Sequence, residues 1–162
     1  MLRHGYADTE LGRLTLVADG DAIVGLYFPD HKHPPKEIGE AAGAEDPIIA
    51  RAAEQLREYL AGARTEFDLD VATDGDDFSE RVWALLKKIP HGETVTYGDL
   101  ARVLGNVNYA QRVGQCVGRN PISIIIPCHR VVGADGALTG YAGGVDRKRT
   151  LLDLESSQRP LL

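Results

Sequence analysis

Cysteine and long apolar runs are scarce in this sequence. Its 162 residues contain two cysteines, Cys116 and Cys128, and none precedes them. That number excludes a disulfide-rich scaffold and a four-cysteine zinc site. The apolar runs, such as residues 124–126, fall far short of the roughly 18 residues typical of a membrane span. No basic segment followed by an apolar one opens the chain. We therefore expect a cytoplasmic protein that does not bind membranes.

Charge is divided unevenly along the chain. Residues 1–80 contain 7 Lys and Arg against 18 Asp and Glu, whereas residues 81–162 contain 11 against 6. A basic half can bind a polyanion such as DNA while the acidic half points away from it. A solvated surface with accidental asymmetry explains the same charges equally well.

The N-terminal half alternates strand and helix signals. Residues 11–18 and 23–28 are rich in apolar and β-branched side chains, and the Asp-Gly-Asp between them predicts a β-hairpin. From Pro47 onward, apolar residues recur at helical spacing up to Gly62. A polar break at residues 74–77 predicts a domain boundary, giving domains 1–76 and 77–162.

The C-terminal half begins with helical patterns. Ser79 is predicted to cap a helix that ends before Pro90. The residues from Thr96 to Asp99 resemble a capping box, and the short helix that they open runs to Leu104. A Gly-containing turn and a second helix over residues 109–117 follow. This is a helix-turn-helix pattern, although any small helical hairpin looks similar.

The strongest local signal is an apolar run that ends in Pro127, Cys128, His129 and Arg130. A thiol becomes a good nucleophile when a base or positive charge favours its thiolate, and this segment supplies both. A Cys-His pair with only a structural role is the alternative on local sequence.

Ordered segments at residues 92–97, 118–121, 126–131, 140–144 and 149–155 resemble the O6-alkylguanine-DNA alkyltransferase family. The resemblance extends from about Phe78 to Glu155, and residues 9–14 add a weaker match. It implies an α/β protein: a small N-terminal ribonuclease-H-like α/β domain, then a mostly helical, winged helix-turn-helix-like DNA-binding domain. It also implies DNA repair, in which an O6-alkylated guanine is flipped out of the duplex and its alkyl group moves irreversibly to the protein, with O4-alkylthymine as a possible further substrate.

The resemblance assigns roles to residues of the predicted site. Cys128 is the acceptor, Glu155 orients His129, and His129 takes the thiol proton through a water. Tyr97 donates a proton toward guanine N3. Tyr141 lines the guanine pocket on a Gly-rich loop, and the main-chain carbonyls near Cys128 and Val131 accept from the exocyclic amine.

The predicted DNA-binding residues include one departure from the family pattern. Asn120 matches the asparagine that ties the recognition helix to the active-site segment. The family usually has an arginine nine positions earlier, which fills the space of the flipped base. Here that position is Gln111, and the arginine is Arg112, about 100° further round a helix. Either Gln111 or Arg112 fills the space of the flipped base. Ser79 and Asn106 are further predicted DNA contacts.

We predict no metal, because the N-terminal half has no cysteine and its histidines form no credible ligand set. We also predict no cofactor. The predicted partner is duplex DNA that contains O6-alkylguanine, and the predicted state is a monomer. Each molecule should act once, since a thioether is stable.

Two other classes of function remain open from the residues alone. A helix-turn-helix module could mark alkylated DNA or regulate transcription with Cys128 idle. A cysteine hydrolase acting on a small ester or amide would turn over many times without DNA.

Overall fold

The computed structural model describes residues 1–43 and 45–157, which form two compact units. The first unit comprises Met1–Thr73 and Pro121–Ile125, and the second comprises Asp74–Asn120 and the described residues from Ile126 onward. Five residues from the middle of the C-terminal half, Pro121–Ile125, therefore belong to the first unit. The boundary at residue 76 stays a prediction.

A four-stranded sheet forms most of the first unit. Its strands are β1 (Leu2–Thr9), β2 (Gly12–Asp19), β3 (Ala22–Tyr27) and the short β4 (Glu40–Ala41), in the order β3-β2-β1-β4. The first three are antiparallel, and β4 pairs parallel to β1. The β2–β3 hairpin confirms the sequence prediction, whereas β1 was not predicted.

Helix α1 (Pro47–Leu60) packs its apolar face on this sheet. Its N-terminus follows from a cap, because the Asp46 carboxylate accepts hydrogen bonds from the backbone N–H groups of Ile48 and Ile49. The contact with β1 is close: a Cβ at Gly5 would lie 2.5 Å from Ile49 Cγ2. Glycine at this position thus lets the helix approach the strand.

The segment Pro121–Ile125 lies beside β3. Leu26 N donates to the Pro121 carbonyl at 2.9 Å, and Ser123 N donates to the Leu26 carbonyl at 3.3 Å. Ile124 has a φ of +70°, a left-handed conformation that is unusual for a β-branched residue. The backbone is thus fixed in an uncommon conformation a few residues before Cys128.

The second unit is mostly helical. Its elements are α2 (Asp77–Leu86), β5 (Val95–Thr96), α3 (Tyr97–Val103), α4 (Ala110–Gly118), β6 (Val131–Val132) and α5 (Val145–Ser157). The prediction that Ser79 caps α2 is wrong. Asp76 is the cap: its carboxylate accepts from Ser79 N at 2.8 Å, so the helix begins earlier.

Helices α3 and α4 flank a turn that includes Gly105, whose φ is +106°. The Thr96 capping box is confirmed, since Asp99 N donates to Thr96 Oγ1 and Thr96 N donates to Asp99 Oδ2. A sheet unit followed by a helical unit with a helix-turn-helix confirms the predicted fold class. Within residues 1–43 and 45–157, no helix has the length and apolarity needed to cross a bilayer.

Candidate active site

A short parallel strand pair brings the two ends of the site together. In that pair Val95 of β5 lies opposite Val131 of β6. Tyr97 follows β5 directly, and a 3-10 turn over Cys128–Arg130 directly precedes β6. Tyr97, the predicted proton donor, and Cys128, the predicted nucleophile, therefore lie on backbone segments that adjoin the same strand pair.

Cys128 lies in a closed environment of hydrogen-bonding side chains. Its exposed fraction is 4%. Asn120, just beyond the end of α4, donates from Nδ2 to the Ile126 carbonyl at 2.8 Å. Burial raises the pKa of the Cys128 thiol, and hydrogen bonds from Asn120 and Tyr141 and the charge of Lys148 oppose that rise. In the free protein the thiol form is thus favoured, with groups in place that would stabilise a thiolate.

His129 and Glu155 form a buried pair, 0% and 1% exposed. His129 Nε2 lies 2.9 Å from Glu155 Oε2. Among the described residues, His129 Nδ1 has no protein hydrogen-bond partner. A carboxylate on Nε2 fixes the tautomer in which Nδ1 carries a lone pair, so His129 can act as a base through Nδ1.

Arg130 forms an ion pair with Glu155. Its Nε and one terminal nitrogen each donate to Glu155 at 2.8 Å, and its other terminal nitrogen donates to the Ile89 carbonyl at 2.5 Å. Such a bidentate contact fixes the carboxylate in place as well as balancing its charge. Burial lowers the pKa of His129, while the hydrogen bond and charge of Glu155 oppose this. The neutral form of His129 is thus favoured.

Tyr97 is held at both ends. A Cβ at Gly114 of α4 would lie 3.6 Å from Tyr97 Cδ1, so this helix lies against the ring. The Tyr97 hydroxyl lies 2.8 Å from Thr139 Oγ1, and the Thr139 carbonyl accepts from Lys148 Nζ at 3.4 Å. A chain of contacts therefore leads from Tyr97 to Lys148, a buried cation.

The remaining predicted pocket residues are buried in the second unit. Val131 is fully buried, and Tyr141 is 9% exposed. Tyr141 sits in a Gly-rich loop that turns at Gly144, whose φ is +92°. This loop leads directly into α5, which carries Lys148 and Glu155.

Gln111 and Arg112 lie on different faces of α4. The Arg112 guanidinium carbon lies 3.8 Å from the centre of the Phe78 ring, and Cys116, one turn later, accepts from Ser79 Oγ at 3.4 Å. This face is therefore directed at α2. Gln111 is three positions before Gly114 and so shares the face that lies against Tyr97. Both side chains are exposed.

Ser79 and Asn106, the other predicted DNA contacts, each make a side-chain hydrogen bond within the second unit. Ser79 Oγ donates a hydrogen bond to the sulfur of Cys116, which is a buried free thiol. Asn106 is exposed, and its side chain accepts from Asn108 N at 2.9 Å, capping a 3-10 turn over Val107–Tyr109. Asn106 is thus on the accessible surface of the helix-turn-helix.

Sequence reasoning missed Thr139, Lys148 and the pairing of Arg130 with Glu155. Thr139 and Lys148 sit two residues before and seven after Tyr141, but nothing in their local pattern shows which lysine is buried. Arg130 follows His129 directly, so a buried Arg in the motif could have suggested a buried acid. Across the described ranges, no group of three or more His, Cys, Asp or Glu is arranged to hold a metal.

Family models match nearly the whole chain. The model described as 6-O-methylguanine DNA methyltransferase, DNA binding domain, matches residues 77–157. The ribonuclease-like domain of the same methyltransferase matches residues 2–73. Both halves of the chain therefore resemble the same kind of protein.

Full-length relatives agree. The methylated-DNA--protein-cysteine methyltransferase of Mycobacterium tuberculosis is 43% identical, over 99% of this chain and 96% of its own. The constitutive enzyme of Bacillus subtilis is 38% identical over 92% of each chain. A crystal structure of Mycobacterium tuberculosis OGT in complex with DNA matches with a TM-score of 0.91 and 42% identity, over 98% of this chain and 95% of that one. The chain belongs to the O6-methylguanine DNA methyltransferase family.

Proposed function

We propose that Cys128 is the residue that accepts an alkyl group from O6 of guanine in duplex DNA, once per molecule. The activity is that of the family, direct-reversal DNA repair by alkyl transfer to a protein cysteine, and DNA is the partner. The observation that supports this choice of residue is the contact of His129 with Glu155 directly beside a buried thiol. Cys116, the other thiol, lies outside this motif, and its sulfur accepts a hydrogen bond from Ser79 Oγ.

The proposed reaction begins with proton transfer. The Cys128 proton passes through a water to His129 Nδ1, and Glu155, itself held by Arg130, orients the imidazole while it becomes charged. The thiolate then attacks the alkyl carbon in line. An S–C bond forms, the C–O6 bond breaks, and its electron pair goes to the guanine, to which Tyr97 donates a proton at N3. The proton held by His129 then returns through water to the Tyr97 oxygen, so in sum the thiol hydrogen is exchanged for the alkyl group.

The pocket residues would hold the flipped base. Tyr141 would line one side of it, and the carbonyls near Cys128 and Val131 would accept from the exocyclic amine. Asn120 joins the end of α4 to the Cys128 segment through the Ile126 carbonyl. A shift of α4 would thereby change the position of the segment that carries Cys128.

The proposed DNA surface is the helix-turn-helix together with the start of α2, with Asn106, Gln111, Arg112 and Ser79 nearest the duplex. The basic balance of residues 81–162 supports phosphate contacts. All groups in the proposed reaction belong to one chain, which fits a monomer. A DNA substrate fits the cytoplasmic location expected from the sequence.

Stoichiometry tests this proposal. We expect restored guanine in O6-methylguanine duplexes to rise with protein and to stop at one per chain, even with DNA in excess. Cys128→Ser should restore none, whereas Cys116→Ser, the matched control, should repair like the wild type. Tight lesion binding without restoration would favour the binding module, and many turnovers on a thiol-sensitive ester would favour the hydrolase; either result would overturn the proposal.

A further inference from the structure

The hydroxyl of Tyr97 has a side-chain partner that the proposed reaction does not yet use. Thr139 Oγ1 lies 2.8 Å from it, and either oxygen can be the donor. Thr139 lies 42 residues away in the chain, in the loop that precedes Tyr141. The contact is therefore set by the fold and not by local sequence.

The backbone of Thr139 is held separately. Its carbonyl accepts from Lys148 Nζ at 3.4 Å, and Lys148 is 1% exposed on α5. Among the described residues, no carboxylate pairs with Lys148. The Tyr97 ring lies against Gly114. Each end of the Tyr97–Thr139 contact is thus anchored by a different element, which fixes the position of the phenolic oxygen.

We propose that Thr139 is a positioning residue that holds the Tyr97 hydroxyl and stabilises the phenolate that it becomes. The inference rests on the proposed function, in which Tyr97 protonates the departing guanine. When that proton moves to guanine N3, the O–H bond breaks and its electron pair stays on the Tyr97 oxygen. The Thr139 hydroxyl, which can both accept and donate, then donates to that oxygen.

Base entry would strengthen this contact. In the free protein Thr139 is exposed and Tyr97 is half-buried, so water competes for both hydroxyls. A flat base in the pocket displaces that water, and a hydrogen bond to a charged oxygen is worth more in the lower local dielectric. Thr139 would therefore act mainly in the transition state and have little effect on base binding.

A double-mutant cycle on the single-turnover rate of methyl transfer from duplex O6-methylguanine tests the inference. Thr139→Val keeps the shape and removes the hydroxyl, and we expect it to slow transfer about tenfold or more. Thr139→Ser should recover most of the rate. In the Tyr97→Phe background Thr139→Val should have no further effect, because there is no phenolate to stabilise.

Alkylation of Cys128 by iodoacetamide is the control, since no guanine leaves and no proton is needed there; Thr139→Val should leave its rate unchanged. A wild-type transfer rate in Thr139→Val would overturn the inference. Equal slowing by Thr139→Val with and without the Tyr97 hydroxyl would also overturn it and leave only a role in loop structure. Absence of transfer by the wild-type protein would instead overturn the proposed function.

Discussion

Glu155 accepts two hydrogen bonds of 2.8 Å from the Arg130 guanidinium while it contacts His129 Nε2 at 2.9 Å. A buried carboxylate alone would favour a charged imidazole. Arg130 balances that carboxylate, so His129 can remain neutral until it takes a proton. In the proposed reaction Glu155 thus orients His129 without favouring its protonation before the thiol proton arrives.

The first prediction concerns the stability of this pair. Arg130→Met leaves Glu155 buried and uncompensated, so we expect the free energy of unfolding to fall by about 3–5 kcal/mol. Arg102→Met is the matched control, because its ion pair with Asp99 is exposed and should contribute about 1 kcal/mol or less. Urea denaturation measures both, and equal losses would contradict the account.

The second prediction concerns pH. Burial holds the pKa of His129 below its ordinary value of 6.5. As the pH falls below about 7, the unfolded chain takes up that proton first, so the free energy of unfolding should decrease until the folded pKa is passed. His91 behaves in the same direction, because burial lowers its pKa as well.

Unfolding measured from neutral to acid pH checks this. His129→Gln should make the decline shallower, and adding His91→Gln should make it shallower still. An unchanged slope in both variants would refute the buried neutral state of His129.

The third prediction concerns Lys148, whose charge lowers the pKa of Cys128. Lys148→Met should move the pH profile of iodoacetamide reaction at Cys128 to higher pH. Stability should not fall, because a buried ammonium without a carboxylate partner is replaced by an apolar chain of similar length. Arg149→Met, an exposed neighbour, should leave the profile in place; a shift of equal size there would exclude a specific effect of Lys148.

The fourth prediction separates Gln111 from Arg112. Gln111 shares the face of α4 that lies against Tyr97, whereas Arg112 stacks on Phe78. Gln111→Ala should therefore slow repair of duplex DNA more than reaction with free O6-benzylguanine. Arg112→Ala should weaken DNA binding. It should also reduce the slope of log affinity against log salt concentration by about one. If Arg112→Ala alone produces the duplex-specific slowing, the side-chain assignment is reversed.

Much of the fold could be predicted from the sequence where apolar spacing is strong. The hairpin of β2 and β3, helix α1 and the Thr96 capping box all follow from local pattern. Strand β1 could not be predicted, because Ala7 is its only buried residue. Its partner β2 stabilises it through backbone hydrogen bonds, which leave no apolar signal.

The site residues also divide into those that the sequence could identify and those that it could not. Motif resemblance could identify Cys128, His129 and Glu155 as candidates, but it could not show that Arg130 binds Glu155 across 25 residues. Thr139 and Lys148 are ordinary loop and helix residues in sequence. Only the folded chain brings Thr139 to Tyr97.

The most direct test of the central claim is the mass of the protein after mixing with one equivalent of duplex DNA that carries trideuteromethyl O6-methylguanine. Peptide analysis should find one labelled methyl on Cys128, none in Cys128→Ser, and a full signal in Cys116→Ser. Label on another residue, or none on a protein that still binds the lesion, would contradict Cys128 as the acceptor.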